Sequence, residues 1–432
     1  MLPVLKEDND LLTRIGPGTA MGDLFRQYWL PLLMASELPE RAGPPVRVRV
    51  LGEDLIAFRN SSGQVGLLAS HCAHRGASLF FGRNEEDGLR CVYHGWKYDV
   101  TGQCVDMPSE PLESTFKDRI RQRAYPCREQ NGVIWTYMGP RAEPPPFPRL
   151  EWAQVPEENC AFAKTLRECN WLQALEGDID NAHVPFLHSR FNLGPDDSLA
   201  SRIMYAGKSP HLEVVDKPYG AMYGSRRDAD ERQYNWRIIQ FLFPCFTMIT
   251  TGSPQDRGTV PSHAWIPIDD EHTMMWGIRW NPTEPLGEQR PPASNAGEYV
   301  PNTSDWLGQW RPIANMTNDY LIDREAQRTV CFSGLRNIPL EDKMVTESMG
   351  PIMPRALEHL GPTDAMIVKV RSKLLAAVKA LRDRGVSPPC VDEPSLYGVR
   401  SAIVNLPREA NWVEATEETL KAFTGQPAAS LV

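Results

Sequence analysis

The sequence predicts an α+β protein of two domains, a mainly β one followed by a larger one that mixes strands with helices. Three observations predict it: period-two alternation near the N-terminus, a proline-rich break before residue 150, and helical periodicity interleaved with buried strands beyond that break. At 432 residues the chain exceeds the size at which one core stops growing. The first domain is placed at 27–145 and the second at 146–432, with residues 1–26 packing on the second.

From Pro45, PVRVRVLGEDLIAFRNSSGQVGLLA alternates apolar and polar residues and is interrupted by Gly-Glu-Asp and Ser-Ser-Gly-Gln turns, so it reads as short strands. GVIWTYMG at 132–139 reads as another. GPRAEPPPFPRL at 139–150 holds five prolines in twelve residues, a composition that favours extended polyproline II and marks a linker. Beyond it, NWLQALEGDIDNAHVPFL, WLGQWRPIANMTNDYLIDREAQ and TDAMIVKVRSKLLAAVKALRDRG carry helical spacing, whereas WRIIQFLFPCFTMIT and TMMWGIRW read as buried strands. The last helix sets Ile367, Val368, Val370, Leu374, Leu375, Val378 and Leu381 on one stripe and ends in Arg384-Gly385.

A net charge of −9, with acids and bases interspersed, argues against a nucleic-acid or anionic-membrane partner. Nowhere do eighteen apolar residues run together, so a soluble cytoplasmic protein is expected. Nine scattered cysteines do not form a secreted disulfide framework; reduced thiols are expected, a few of them recruited as ligands.

Recruitment is expected where Cys72-x-His74 is followed after sixteen residues by Cys91-x-x-His94. Tetrahedral zinc accepts two cysteines and two histidines, but its common arms pair like with like. Here each arm carries one of each, the mixture that a Rieske [2Fe-2S] centre needs, because two thiolates hold one iron and two imidazoles the other. Gly102-x-Cys104 and Pro108 read as a further loop covering the cluster. His71 falls outside the pattern, and the remaining cysteines default to buried small hydrophobes.

A second constellation lies in NWLQALEGDIDNAHVPFLHSRF. Asp180 and His183, three apart, would share a helical face; His183 and His188, five apart, would diverge by about 140° on a regular helix. Pro185 is expected to break that helix and let His188 return beside His183. Two histidines and one carboxylate with open positions are the ligands of non-haem Fe(II) oxygenases. Two ordinary core or surface histidines are the competing reading.

Together these segments, with DNDLLTRIGPGTAMGDLFRQYWLP, NDYLIDREAQR and LEDKMVTESMGPI, make the chain resemble the α subunits of Rieske non-haem iron aromatic-ring oxygenases, in the branch similar to phthalate dioxygenase. The resemblance implies a β Rieske domain followed by a catalytic domain whose antiparallel sheet and helices carry mononuclear iron. It implies that His183 and His188 are iron ligands, that Asp180 is a bridging acid, and that the third ligand is an Asp preceding a helix, best matched by Asp342. Glu341, Asp319 and Asp323 are neighbouring carboxylates that compete for that role, or cap helices. It further implies a head-to-tail trimer, alone or as a dimer of trimers, in which His94, Asp180 and His183 link the cluster of one subunit to the iron of the next. O2 is the implied co-substrate.

No dinucleotide fingerprint is present, so electrons from NADH are expected through a separate flavin or iron-sulfur reductase, with or without a ferredoxin. An aromatic carboxylic acid is the implied substrate, and Arg202, Lys208, Arg226, Arg227 and Arg237 are candidate cations for it. The residues leave open ring dihydroxylation, O-demethylation of a methoxylated acid, a Rieske electron carrier without oxygenase activity, and a zinc-stabilised binding protein.

Overall fold

The computed structural model describes residues 4–191, 202–203, 207–250, 258–287 and 297–426. Helices α1 (Lys6–Thr13) and α2 (Ala20–Phe25) open the described chain. The strands β1 (Trp29–Met34), β2 (Val46–Val50), β3 (Glu53–Arg59), β4 (Val65–Ala69), β5 (Arg83–Glu85), β6 (Gly88–Arg90), β7 (Lys97–Tyr98), β8 (Cys104–Asp106), β9 (Cys127–Gln130) and β10 (Val133–Tyr137) follow. They form three antiparallel sheets ordered β1–β10–β9, β2–β3–β4 and β5–β6–β7–β8. Alternation decides which way β2 faces: Val48 and Val50 are buried, while Arg49 reaches Asp54 at 2.6 Å and Arg47 stacks 3.7 Å above Phe80.

A small core of Ile56, Phe58, Leu68, Leu79, Leu89, Trp96 and Tyr98 surrounds Cys72 and Cys91. A larger core crosses the proline-rich segment. Trp135 stacks on Trp152 with ring centroids 5.2 Å apart, and Phe147 wedges against Trp29 and Trp135. Trp29 Nε1 donates to the Pro145 carbonyl at 2.9 Å. The segment between the sheets is therefore anchored at Pro145, Phe147, Pro148 and Leu150, and its prolines, which lack N–H donors, reduce the number of backbone amides to satisfy there.

The second part of the chain contains β11 (Cys160–Arg167), β12 (His211–Lys217), β13 (Gly220–Asp228), β14 (Gln233–Leu242), β15 (Phe246–Met248), β16 (Val260–Pro267), β17 (Thr273–Trp280) and β18 (Ala402–Pro407). They make one antiparallel sheet ordered β11–β17–β16–β15–β14–β13–β12, with β18 also paired to β14. Its helices among the described residues include α3 (Trp171–Ile179), α4 (Val184–Leu187), α5 (Arg324–Thr329), α6 (Ile338–Ser348), α7 (Ala365–Arg384) and α8 (Trp412–Ala415). The helix α3 packs on β14–β16, α6 packs on α3, and α7 covers β12–β13 and receives α1 and α2. On α7 the expected stripe buries Val370, Leu374 and Val378, and Gly385 closes the helix at φ 64°.

Two elements differ from expectation. Residues 306–327 are not one helix: Trp310 sits at φ 57°, the 3₁₀ stretch Met316–Leu321 is interrupted at Asn318 and by the left-handed Asp319 and Tyr320, and only α5 is regular helix. Gly308 and Pro312 weaken helix formation, and the Asn315 side chain draws the Thr317 amide at 3.0 Å into a local turn. WRIIQFLFPCFTMIT is two strands, β14 and β15, parted at Pro244.

Two candidate metal centres

Cys72 and His74 lie on the loop after β4, and Cys91 and His94 on the loop after β6. The loops close alike: Gly76 N donates to Cys72 O at 2.9 Å and Gly95 N to Cys91 O at 3.0 Å. Both glycines have positive φ, and a side chain at Gly95 would meet Pro108 Cγ at 2.7 Å, so the Pro108 segment lies directly over that loop. The Tyr98 hydroxyl is 3.1 Å from Cys72 Sγ. His74 lies flat on Trp96 at 4.1 Å, and its ring centroid is 4.5 Å from that of His94.

The donor chemistry fits a cluster. His74 Nδ1 is buried with no hydrogen-bond partner among the described residues, which is costly unless a ligand takes the lone pair. Burial, then His74 and Arg75, pull His94 below the usual imidazole value, favouring the neutral form that binds metal. Cys104 is buried nearby and pushed up to about 11 by burial, so it stays a thiol. His71 points elsewhere, with Nδ1 at 2.9 Å from Ser70 Oγ.

In the second centre, Asn170 caps α3 by accepting from Leu172 N at 3.1 Å. The helix stops at Ile179 because Asp180 is extended, and Ala182 N donates to Asp180 Oδ1 at 2.7 Å in a local turn. His183 then starts α4, where Pro185 fits the first turn without losing a hydrogen bond. The helix thus breaks before Pro185 and not at it, and Asp180 and His183 do not share a helical face. The turn still joins them, His183 Nδ1 to Asp180 Oδ2 at 3.1 Å. One turn of α4 returns His188, leaving the two Nε2 atoms 3.2 Å apart.

Asp342 lies inside α6, not ahead of it as expected. Its Oδ1 is 3.2 Å from His188 Nε2 and 3.6 Å from His183 Nε2. Donor atoms of these three residues lie within 4.8 Å of one another, open enough to admit an ion. Burial pulls His188 down, yet Asp342 and Glu341 push it up to about 9. The competing carboxylates do other work: Asp323 caps α5, Asp319 is exposed in the 3₁₀ turn, and Glu341 stands behind His188 at 2.7 Å from Nδ1. Nothing in the sequence singled out Glu341 for that contact, nor Arg190 and Ser333 beside it.

Of the candidate cations, Arg202 and Lys208 are exposed and Arg226 stacks over Tyr234. Arg227 and Arg237 are buried on one face of β13 and β14. Arg227 donates to Gly207 O, Ser225 Oγ and Asn181 Oδ1, and Arg237 Nε donates to Thr250 O at 2.7 Å. Burial, then the charge of Arg237, pulls Arg227 down to about 10. The structure thus sets Arg227 against Asn181, the residue following Asp180, with Arg237 on the same face of the sheet.

Residues 28–117 match the Rieske [2Fe-2S] domain, and residues 136–422 match the LigXa C-terminal domain like family. The oxygenase subunit of 3-chlorobenzoate-3,4-dioxygenase from Comamonas testosteroni is 42% identical over 97% of this chain and 99% of its own. This chain belongs to the Rieske non-haem iron oxygenase α subunits. The oxygenase subunit of phthalate 4,5-dioxygenase from Pseudomonas putida is 35% identical over 87% of this chain and 86% of its own. That of 5,5'-dehydrodivanillate O-demethylase from Sphingobium sp. (strain NBRC 103272 / SYK-6) is 30% identical over 96% and 90%. The fold matches the terminal oxygenase of carbazole 1,9a-dioxygenase from Novosphingobium sp. KA1, with a TM-score of 0.53 at 18% identity over 88% of this chain and 96% of that one; a carbazole 1,9a-dioxygenase oxygenase has also been solved with its ferredoxin. As a Rieske oxygenase, the protein is an oxygenase component that carries a [2Fe-2S] cluster and mononuclear iron and uses O2 with electrons from a separate reductase. Among the described residues no helix is long and apolar enough to cross a membrane.

Proposed function

We propose that the protein hydroxylates an aromatic carboxylic acid by ring dihydroxylation, with Cys72, His74, Cys91 and His94 holding the cluster and His183, His188 and Asp342 holding the iron. The convergence of those last three side chains carries this reading, and two buried arginines, one of them bonded to Asn181 next to Asp180, favour an acid. When bound, the cluster supplies single electrons and the iron binds O2.

The chain's own part is positioning. Asp180 takes the Nδ1 proton of His183 as a hydrogen bond and so turns Nε2 toward Asp342. Its partial exposure is compatible with a contact to His94 of a neighbouring subunit in a head-to-tail trimer or a dimer of trimers, the bridge proposed between the two centres. Arg227 and Arg237 bind the substrate carboxylate and orient the ring, because a guanidinium removed from water gains most from an anion. Electrons arrive from NADH through a flavin or iron-sulfur reductase, with or without a ferredoxin; the ferredoxin complex of the carbazole oxygenase supports such docking. The protein is assigned to the cytoplasm.

O-demethylation is the second reading, favoured by the kinship with the dehydrodivanillate enzyme. The test is NADH-driven O2 uptake by the reductase-reconstituted enzyme with phthalate, 3-chlorobenzoate and a methoxybenzoate, each with product analysis. A cis-dihydrodiol supports dihydroxylation. Formaldehyde from the methoxybenzoate, without any diol, replaces it by demethylation, and no uptake with any acid overturns both.

A further inference from the structure

We infer that Glu341 is a positioning residue of the metal centre, fixing the tautomer and direction of His188; the inference rests on His188 being an iron ligand. Glu341 is fully buried on α6, and both of its oxygens are engaged. Oε2 accepts from His188 Nδ1 at 2.7 Å, while Oε1 accepts from Arg190 Nη1 at 3.1 Å and from the Ser333 hydroxyl. Asp342, the next residue, is turned by about 100° around the helix and presents its carboxylate to both Nε2 atoms. Adjacent acids on α6 therefore divide the work: one faces the metal position and the other holds a ligand from behind.

The surroundings show that Glu341 is held as well as holding. Arg190 Nη1 also donates to His188 O at 3.2 Å, tying the guanidinium to the loop that carries the histidine. That loop is zipped to 330–332 by Phe191 N to Val330 O at 2.9 Å and Phe332 N to Ser189 O at 3.2 Å, which places Ser333 against the carboxylate. One buried acid thus gathers α6, the His188 loop and the Ser333 turn. With Nδ1–H committed to Glu341, the lone pair of His188 is on Nε2, facing Asp342 and His183. Asp180 makes the matching contact to His183 but is partly exposed, so the two acids differ: Glu341 is internal to the subunit, Asp180 open to its surface.

The test uses the full-length, cluster-loaded protein stripped of mononuclear iron and titrated with Co(II). Glu341→Gln keeps size but brings an amide N–H into a pocket already filled with donors; it is expected to weaken Co(II) binding about 10- to 100-fold and shift the Co(II) ligand-field bands, with the cluster absorption unchanged. Ser333→Ala, which removes one anchor, is expected to weaken binding several-fold in the same direction and decides the matter if the glutamine variant does not fold. Wild-type affinity and bands in either folded variant overturn the inference. Failure of the wild-type protein itself to bind Co(II) overturns the triad assignment instead.

Discussion

Cys91→Ala removes a thiolate that water cannot replace in a cluster site, so the brown Rieske absorption is expected to vanish; a normal two-iron spectrum in the variant would refute the assignment. Asp342→Ala takes away the carboxylate arm of the second centre and is expected to lower mononuclear iron while leaving the cluster spectrum intact, as read by iron analysis against absorbance. Normal iron occupancy would remove Asp342 from the ligand set. At this scale the sequence was readable where chemistry is local. Two Cys-His pairs and the Asp180, His183, His188 run each fall within a few tens of residues. Asp342 was nameable only by resemblance, since it is more than 150 positions from His188 and no spacing rule connects them. Asp342 was preferred to Glu341 by resemblance alone, because the helical register that turns one acid to the metal position and the other behind the histidine exists only once α6 is packed.

At the scale of elements, the centre depends on where α3 ends and how it is held. Glu176 on α3 binds Arg371 on α7 at 2.6 Å and Arg355 at 2.9 Å, all three buried. Burial raises the Glu176 carboxyl, but Arg355 and Arg371 outweigh it and hold it below the usual carboxylate value. The folded-state value is thus depressed, so its contribution is present above about pH 4.3 and is lost as pH falls through the folded-state value. Glu176→Gln is expected to destabilise the protein by about 3 kcal/mol near neutral pH, since it leaves the buried Arg355 without a carboxylate and Arg371 with Glu358 alone, and to flatten the acid limb of a denaturation series; an unchanged limb would refute this role. The periodicity of α3 and α7 was legible because each is a continuous run of helical spacing, and α7 ends at a recognisable stop, Gly385. The break was misplaced at Pro185 because a proline inside a helical pattern reads as a breaker, whereas here it begins a new turn and the aspartate turn before it does the breaking. Residues 306–327 misled for the opposite reason: their apolar spacing imitates a helix that Gly308, Pro312 and the left-handed Asp319 and Tyr320 do not permit.

At the scale of the whole molecule, two centres of different chemistry occupy one chain, one enclosed by small sheets and the other on helices laid over a large antiparallel sheet. The two-part architecture was visible in the change from period-two to helical patterning. The packing of the proline-rich segment into a core shared through Trp135 and Trp152 was not, because composition reports stiffness and not which surfaces a stiff segment touches. Asp180→Asn belongs to this scale. It keeps the size and is expected to leave the cluster and much of the iron in place while slowing oxidation of the reduced cluster in a single turnover with substrate and O2. A wild-type rate would eliminate the bridging role.

The central claim, that one chain holds a two-iron cluster and a separate iron, is tested most directly by counting iron, zinc and acid-labile sulfide per chain in the freshly purified protein, with its absorption spectrum. The account predicts a Rieske spectrum, sulfide matching the cluster, and one iron per chain more than sulfide, that extra iron being lost in Asp342→Ala. Iron equal to sulfide would leave an electron carrier without an oxygenase site, and zinc without visible absorption would contradict both centres.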